Sequence, residues 1–149
     1  MKGTSQRRGI EGHEPGGRGH PFSQRREHGF HLLQALRLAE RVAREHGNIH
    51  QSLNFGAEAV LRLLVRCDAL RRPERFLLAL QACECDARGR LGKEDEAYAQ
   101  GPRLAALLKA AQSVDSAAVS AQALQDGLKG PAVGARIDAA RLASIAAAL

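Results

Sequence analysis

From His31 onward, apolar residues recur every three or four positions, which is the period of an α-helix with one buried face. No stretch alternates between apolar and polar residues in the manner of a half-buried β-strand. In the first predicted helix the inner stripe is Leu32, Leu36, Ala39 and Ala43, and the outer face is Gln34, Arg37, Arg41, Arg44 and Glu45. The pattern therefore predicts helical structure and no sheet.

Glycine and proline residues delimit the predicted helices. Gly47-Asn48 is expected to stop the first helix, because both residues tolerate a left-handed backbone. Further helices are predicted over residues 56–70, 73–89 and 117–125, and from Pro102 and Pro131 onward. The sequence thus predicts an all-α fold, an irregular bundle of about five to six helices. Its predicted core includes Leu64, Leu77, Leu80, Leu107 and Ile137.

The first thirty residues differ in composition from the rest of the chain. Seven of the 15 glycines lie there, together with five arginines, and apolar periodicity is missing. Such a segment buries too little apolar area to offset the entropy of ordering it. We therefore expect residues 1–30 to form a Gly/Arg-rich disordered arm and residues 31–149 to form the helical domain. The arm could be an RNA-binding tail or a solvated terminus without function.

Composition and charge narrow the function classes. The net charge is +6, and aromatic residues make up only 3%, so base stacking on an aromatic sheet is not expected. No apolar run approaches the roughly 20 residues that span a bilayer, and the N-terminus has no signal-peptide core. The three cysteines are too few for a disulfide framework. These features predict a soluble, cytoplasmic protein without a membrane partner.

Four local strings carry information beyond helical periodicity. They are Arg44-Glu45-His46-Gly47-Asn48-Ile49-His50, Cys67-Asp68-Ala69-Leu70-Arg71-Arg72-Pro73-Glu74-Arg75-Phe76, Ala82-Cys83-Glu84-Cys85-Asp86-Ala87-Arg88-Gly89-Arg90 and Gly127-Leu128-Lys129-Gly130-Pro131-Ala132-Val133-Gly134. In this order and spacing the chain resembles the C-terminal, HD-type helical part of the bacterial multifunctional CCA-adding enzymes, the tRNA nucleotidyltransferases.

That resemblance implies an activity divided between two regions. The family's nucleotidyltransferase head adds C, C and A to the 3′ end of tRNA with Mg²⁺, and its HD region hydrolyses phosphate esters with another divalent metal. Neither the head nor the His-Asp dyad of the HD region has a counterpart among the 149 residues. The resemblance therefore implies a fragment that is inactive alone, binds tRNA weakly and has a separate head as a possible partner.

Several side chains are candidates for metal binding. Asp68 resembles the last metal-binding aspartate of HD proteins, although pairing with Arg71, Arg72 or Arg75 is the alternative. His46 and His50 would share a face of a continuous helix, but the expected break at Gly47-Asn48 favours capping or surface contact. Cys83, Cys85 and Cys67 lack the paired spacing of a zinc site and are interpreted as core thiols.

Basic residues at predicted helix ends are candidates for contact with RNA phosphates. The set is Arg71, Arg72, Arg75, Arg88, Arg90, Lys129 and Gly130. The arginines could instead pair with neighbouring carboxylates. Lys129-Gly130-Pro131 precedes a helix start, where backbone N–H groups and the helix dipole attract anions. The alternative, which the string favours slightly, is a plain turn between two helices.

The sequence therefore leaves three functional hypotheses. The chain is a fragment that retains the tRNA-facing helical region of a CCA-adding enzyme, a stand-alone HD-type metal-dependent phosphohydrolase, or a small helical protein without a nucleic-acid role. The missing His-Asp dyad counts against the second hypothesis.

Overall fold

A computed structural model describes the backbone from Pro21 to Leu149 and the side chains from Leu36 onward. In that part of the chain there are six α-helices, one short 3-10 helix and no strand, so the predicted all-α class is confirmed. The helices are α1 (Pro21–His50), α2 (Ala57–Arg66), α3 (Pro73–Arg88), α4 (Gln100–Gln112), α5 (Ser116–Gln125) and α6 (Pro131–Ala147), and the 3-10 helix is Ser52–Asn54. Residues 34–149 form one compact unit.

Both predicted ends of the first helix are wrong. Helix α1 begins at Pro21 rather than His31, and it continues through Gly47-Asn48 to His50. Gly47 and Asn48 take up no left-handed conformation, so neither acts as a C-cap. Residues 1–20 of the predicted arm lie outside the described residues, and residues 21–30 belong to α1.

The inward face of α1 also differs from the predicted stripe. Leu36, Ala39 and Ala43 are exposed, whereas Glu45 and Ile49 are buried and Val42 packs against the core. The side chain of Leu32 lies outside the described part. A helix presents residues three or four apart on one face, so α1 is rotated relative to the prediction, which had placed Glu45 outside.

The core lies where α2, α3 and α4 meet the end of α1 and the end of α6. Helix α6 packs on α2, α4 and α5, and α3 packs on α4. Leu64, Leu80 and Leu107 are buried as predicted. Leu77 is 41% exposed and was wrongly assigned to the core, and Ile137 is only half-buried. The largest fully buried side chains include Phe76, Ile49, Leu63, Leu104 and Ile145.

Arg103 of α4 fixes the connection between α1 and α2. Its guanidinium donates hydrogen bonds to the carbonyl oxygens of Ser52 (2.7 Å) and Phe55 (2.9 Å). Gln100 donates to the carbonyl of His50 at 3.0 Å. These side chains satisfy backbone acceptors left over at the end of α1 and in the 3-10 helix. The C-terminal end of α1 is therefore held against the start of α4.

Candidate nucleic-acid interface

Asp68 follows α2 and caps it in an unusual conformation. Its φ is +55°, the only positive value outside glycine among the described residues. The N–H of Asp68 donates to the carbonyl of Val65, and the N–H of Ala69 donates to that of Leu64. This pair of bonds is the Schellman arrangement, in which a left-handed residue, most often glycine, closes the helix. Asp68 thus occupies a position that glycine would normally fill.

The carboxylate of Asp68 lies between two arginines. One oxygen is 3.8 Å from Arg41 Nη2 and 3.7 Å from Arg72 Nε. The ion-paired alternative therefore matches the geometry for Arg72, with Arg41 as an unforeseen second partner. Within the described residues, no three His, Cys, Asp or Glu side chains converge on a common point. Asp68 as a metal ligand stays a prediction.

Two of the predicted phosphate-binding arginines line one pocket beyond the end of α3. Arg88 and Arg90 surround a cavity of 360 Å³ together with Lys93, His50 and Tyr98, and also Ala87, Glu96, Ala97 and Gln100. None of the other five predicted residues lines this cavity. Arg88 pairs with Glu84 at 3.1 Å and Arg90 with Asp86 at 3.5 Å, so both cations have acidic neighbours one helical turn back.

The other predicted residues precede or begin α3 and α6, and they do not line that pocket. Among residues 36–149, Arg71, Arg75 and Lys129 form no ion pair. Gly130 has φ +57° and ψ −130°, which only glycine adopts readily. In this turn the N–H groups of Ala132 and Val133 donate to the carbonyls of Lys129 and Gly130. Those two donors are already used, so Lys129 offers mainly its side-chain charge to an anion.

His46 and His50 do share a face, because α1 is continuous. Their ring centroids are 6.1 Å apart. His50 Nδ1 shares a 3.0 Å hydrogen bond with the hydroxyl of Tyr98, and its Nε2 lies 3.5 Å from Asp86. Burial, together with the charges of Cys83, Glu84 and Asp86, raises the pKa of Tyr98 to about 12. The phenol therefore stays protonated and orients the imidazole.

The cysteines divide into two buried and one exposed. Burial raises the pKa of Cys67 and of Cys83 to about 11, with neighbouring acidic groups adding to the effect, so both stay as thiols. They are the core thiols that the sequence predicted. Cys85 is exposed, so its assignment to the core was wrong.

An ion-pair network between α1 and α2 was not predicted from the sequence. Glu45 is only 5% exposed and accepts hydrogen bonds from Arg66 Nε (2.9 Å), Arg66 Nη2 (3.0 Å) and Asn48 Nδ2 (2.8 Å). Burial alone raises the pKa of Glu45, but hydrogen bonds from Arg66 and Asn48, with the charges of Arg66 and Arg44, hold it below its usual value. The sequence feature that could have predicted this network is the four-residue spacing of Arg41, Glu45 and Ile49, which lie on the inner face of α1.

Fold and surface together define an all-α protein in which several arginines pair with carboxylates at helix ends and between helices, among them Arg66, Arg72 and Arg88. The chain is similar to proteins called multifunctional CCA protein. It is 60% identical to that of Leptothrix cholodnii over 109 residues, 57% identical to that of Verminephrobacter eiseniae over 123 residues, and 54% identical to that of Acidovorax sp. strain JS42 over 114 residues. The matches cover 73%, 78% and 76% of this chain, respectively.

The resemblance inferred from the four strings is thus confirmed. The matched part spans only 26–30% of the length of these relatives. No protein-family model matches the chain, and no solved structure is significantly similar to it. Neither these relatives nor the described residues support the alternative of a stand-alone HD-type phosphohydrolase.

No described helix is both long enough and apolar enough to cross a membrane.

Proposed function

We propose that this chain is the C-terminal, tRNA-facing helical region of a cytoplasmic multifunctional CCA protein, and that it binds tRNA weakly through backbone phosphates. The identity of 54–60% to proteins with that name carries the proposal. Addition of CCA itself would require a separate nucleotidyltransferase head with its Mg²⁺. In this proposal the chain contributes RNA contact and no complete active site.

The basic residues at the helix ends support a phosphate contact. Arg71, Arg75 and Lys129 are cations without an ion-pair partner among residues 36–149, and Arg88 and Arg90 share one pocket with Lys93. Tyr98 lines that pocket but is buried, so its ring offers no open face on which a base could stack. Phosphate contacts position RNA without reading its sequence, so binding is expected to depend on salt and not on the tRNA species.

The experiment measures retention of several tRNAs by the full chain across a salt series. We expect affinities in the tens of micromolar near physiological salt, similar for all tRNAs, and falling steeply with salt. Lys129→Ala should lower the affinity for every tRNA and reduce the log–log salt slope by about one unit. Lys109→Ala, which removes an exposed lysine from α4, is the matched control and should change the slope less.

Absence of tRNA retention even at low salt would refute the proposal. If Lys129→Ala and Lys109→Ala have equal effects, the proposed phosphate contact would be restricted to the arginines. The turn between α5 and α6 would then be only a connection between helices.

A further inference from the structure

We infer that the groove between α1 and α2 is a second contact site for the phosphodiester backbone of RNA, separate from the basic residues at the helix ends. The groove has a volume of 340 Å³ and is lined by Arg37, Glu40, Arg41, Arg44, Glu45 and Arg66. This inference builds on the proposed function, since it presupposes that the chain meets RNA. The inference adds a second surface of the protein that contacts the RNA phosphodiester backbone.

The buried carboxylate of Glu45 organises this groove. It accepts both hydrogen bonds of the Arg66 fork, so the Arg66 guanidinium is fixed in orientation before any ligand arrives. Two N–H groups of Arg66 are used in this way, and a guanidinium carries five. Arg41 is anchored by the carbonyl of Cys67 and by Asp68. Two of the four arginines are therefore held in place, which lowers the entropic cost of binding an anion.

The charge balance favours an anionic ligand. Four guanidinium groups line the groove against two carboxylates, and Asp68 pairs with Arg41 from outside the lining, which leaves a formal excess of one positive charge. Arg44 pairs with Glu40 at 2.8 Å through one nitrogen and keeps its other donors, and both side chains are largely exposed. Arg37 is also exposed. The groove thus combines two fixed cations, Arg41 and Arg66, with two exposed cations at its edge, Arg37 and Arg44.

The lining indicates an RNA backbone rather than a base or a protein. All six lining residues are charged, and none is aromatic or aliphatic. Stacking a base would require an aromatic platform, and the centre of a protein interface combines arginine with aromatic and other apolar side chains, which this groove lacks. Arginine forks match the geometry of phosphate oxygens. An acidic peptide is the competing ligand that the experiment must exclude.

The test compares the full-length chain carrying Arg37→Ala and Arg44→Ala with a chain carrying Arg62→Ala. Arg62 belongs to α2, does not line the groove, and pairs with Glu58 four residues earlier, as Arg44 pairs with Glu40. Arg62 is 64% exposed and Arg44 71%, so the two sites are matched in exposure. The single variant Arg44→Ala removes the same charge as Arg62→Ala. Far-ultraviolet circular dichroism and thermal unfolding verify that each variant is folded.

The probes are bulk tRNA, a short unstructured RNA and poly-glutamate. We expect Arg44→Ala to weaken binding of both RNAs about threefold, and the double variant to weaken it about tenfold while lowering the salt slope by about two units. Arg62→Ala should change affinity less than about twofold. Poly-glutamate should bind no more tightly to the wild-type chain than to the double variant.

The outcomes separate this inference from the proposed function. If tRNA binds and Arg44→Ala behaves like Arg62→Ala, the groove is not a phosphate site, whereas the proposed function stands. If the unstructured RNA binds in an Arg44-dependent way and tRNA is not retained, the groove is supported and the proposed function fails. If neither RNA binds, both are wrong. Loss of poly-glutamate binding in the double variant would assign the groove to an acidic protein ligand.

Discussion

A carboxylate as buried as that of Glu45 stabilises a fold only when its oxygens are fully satisfied. Arg66 and Asn48 donate three hydrogen bonds to this carboxylate. Arg66, which also forms the ion pair, lies 21 residues after Glu45 in the chain. Nothing in the local pattern of α1 points to this partner, since Arg66 belongs to the next helix. The contact therefore explains why a glutamate occupies the inner face, and why periodicity placed it outside.

The pH dependence of stability provides a test of this pair. Because the pKa of Glu45 is lowered in the folded chain, the pair contributes stability above the ordinary glutamate pKa. That contribution is lost as the pH falls through the folded-state pKa. Glu45→Gln should cost about 1.5–3 kcal/mol at neutral pH, the range for hydrogen bonds to charged groups. Urea unfolding at several pH values measures the difference between the two proteins.

The difference between wild type and Glu45→Gln should shrink in acid, because protonation removes the same charge from the wild-type chain. All other carboxylates are common to both proteins and cancel in the comparison. A difference that stays constant from neutral to acid pH would show that the Glu45 charge does not contribute to stability.

At the scale of one element, α3 tests how a helix chooses its buried face. Leu80 is 4% exposed, whereas Leu77, which lies three residues earlier, is 41% exposed. Leu80→Ala should therefore cost about 2–5 kcal/mol, because it leaves a cavity among packed side chains. Leu77→Ala should cost less than about 1 kcal/mol. Chemical denaturation of the two variants checks the contrast, and equal losses would contradict the assigned face.

The prediction of elements succeeded where one face was uniformly apolar. The predicted core positions Leu64 on α2 and Leu80 on α3 are buried, whereas Leu77 on α3 is exposed. It failed on α1, where the inner face carries Glu45 and its charge is balanced by tertiary contacts that periodicity does not register. It failed also at Asp68, since the end of α2 is a left-handed aspartate and such a cap is usually signalled by glycine.

Prediction of the candidate site was limited for the same reason. The sequence identified cations at helix ends, and the structure places two of them, Arg88 and Arg90, in one pocket. The groove of α1 and α2 depends on residues from two helices, and in the sequence its arginines look like an ordinary solvated face. The similarity to the CCA-adding enzymes was predicted from the four local strings, and neither charge nor periodicity could have indicated it.

At the scale of the whole molecule, the compact unit of residues 34–149 contains every residue of the described hydrophobic core. The sequence placed the start of the helical domain at residue 31, and this boundary stays a prediction. If that division is correct, the earlier residues contribute little to the cooperative unfolding of the rest. The last contacts needed from α1 are those of Arg41, Glu45 and Ile49, all within the compact unit.

We therefore expect a chain consisting of residues 34–149 to unfold cooperatively, with a midpoint within about 4 °C of the full-length chain. A chain starting at Gln51 serves as the contrasting control, because it lacks Ile49, which is fully buried, and leaves Arg66 without Glu45. That shorter chain should lose its cooperative transition, since removal of Ile49 alone would cost about 2–5 kcal/mol in a domain of marginal stability. Thermal unfolding followed by circular dichroism measures both. A 34–149 chain without a transition would show that the first 33 residues are part of the folding unit. A 51–149 chain as stable as the 149-residue chain would show that the end of α1 is not part of the core.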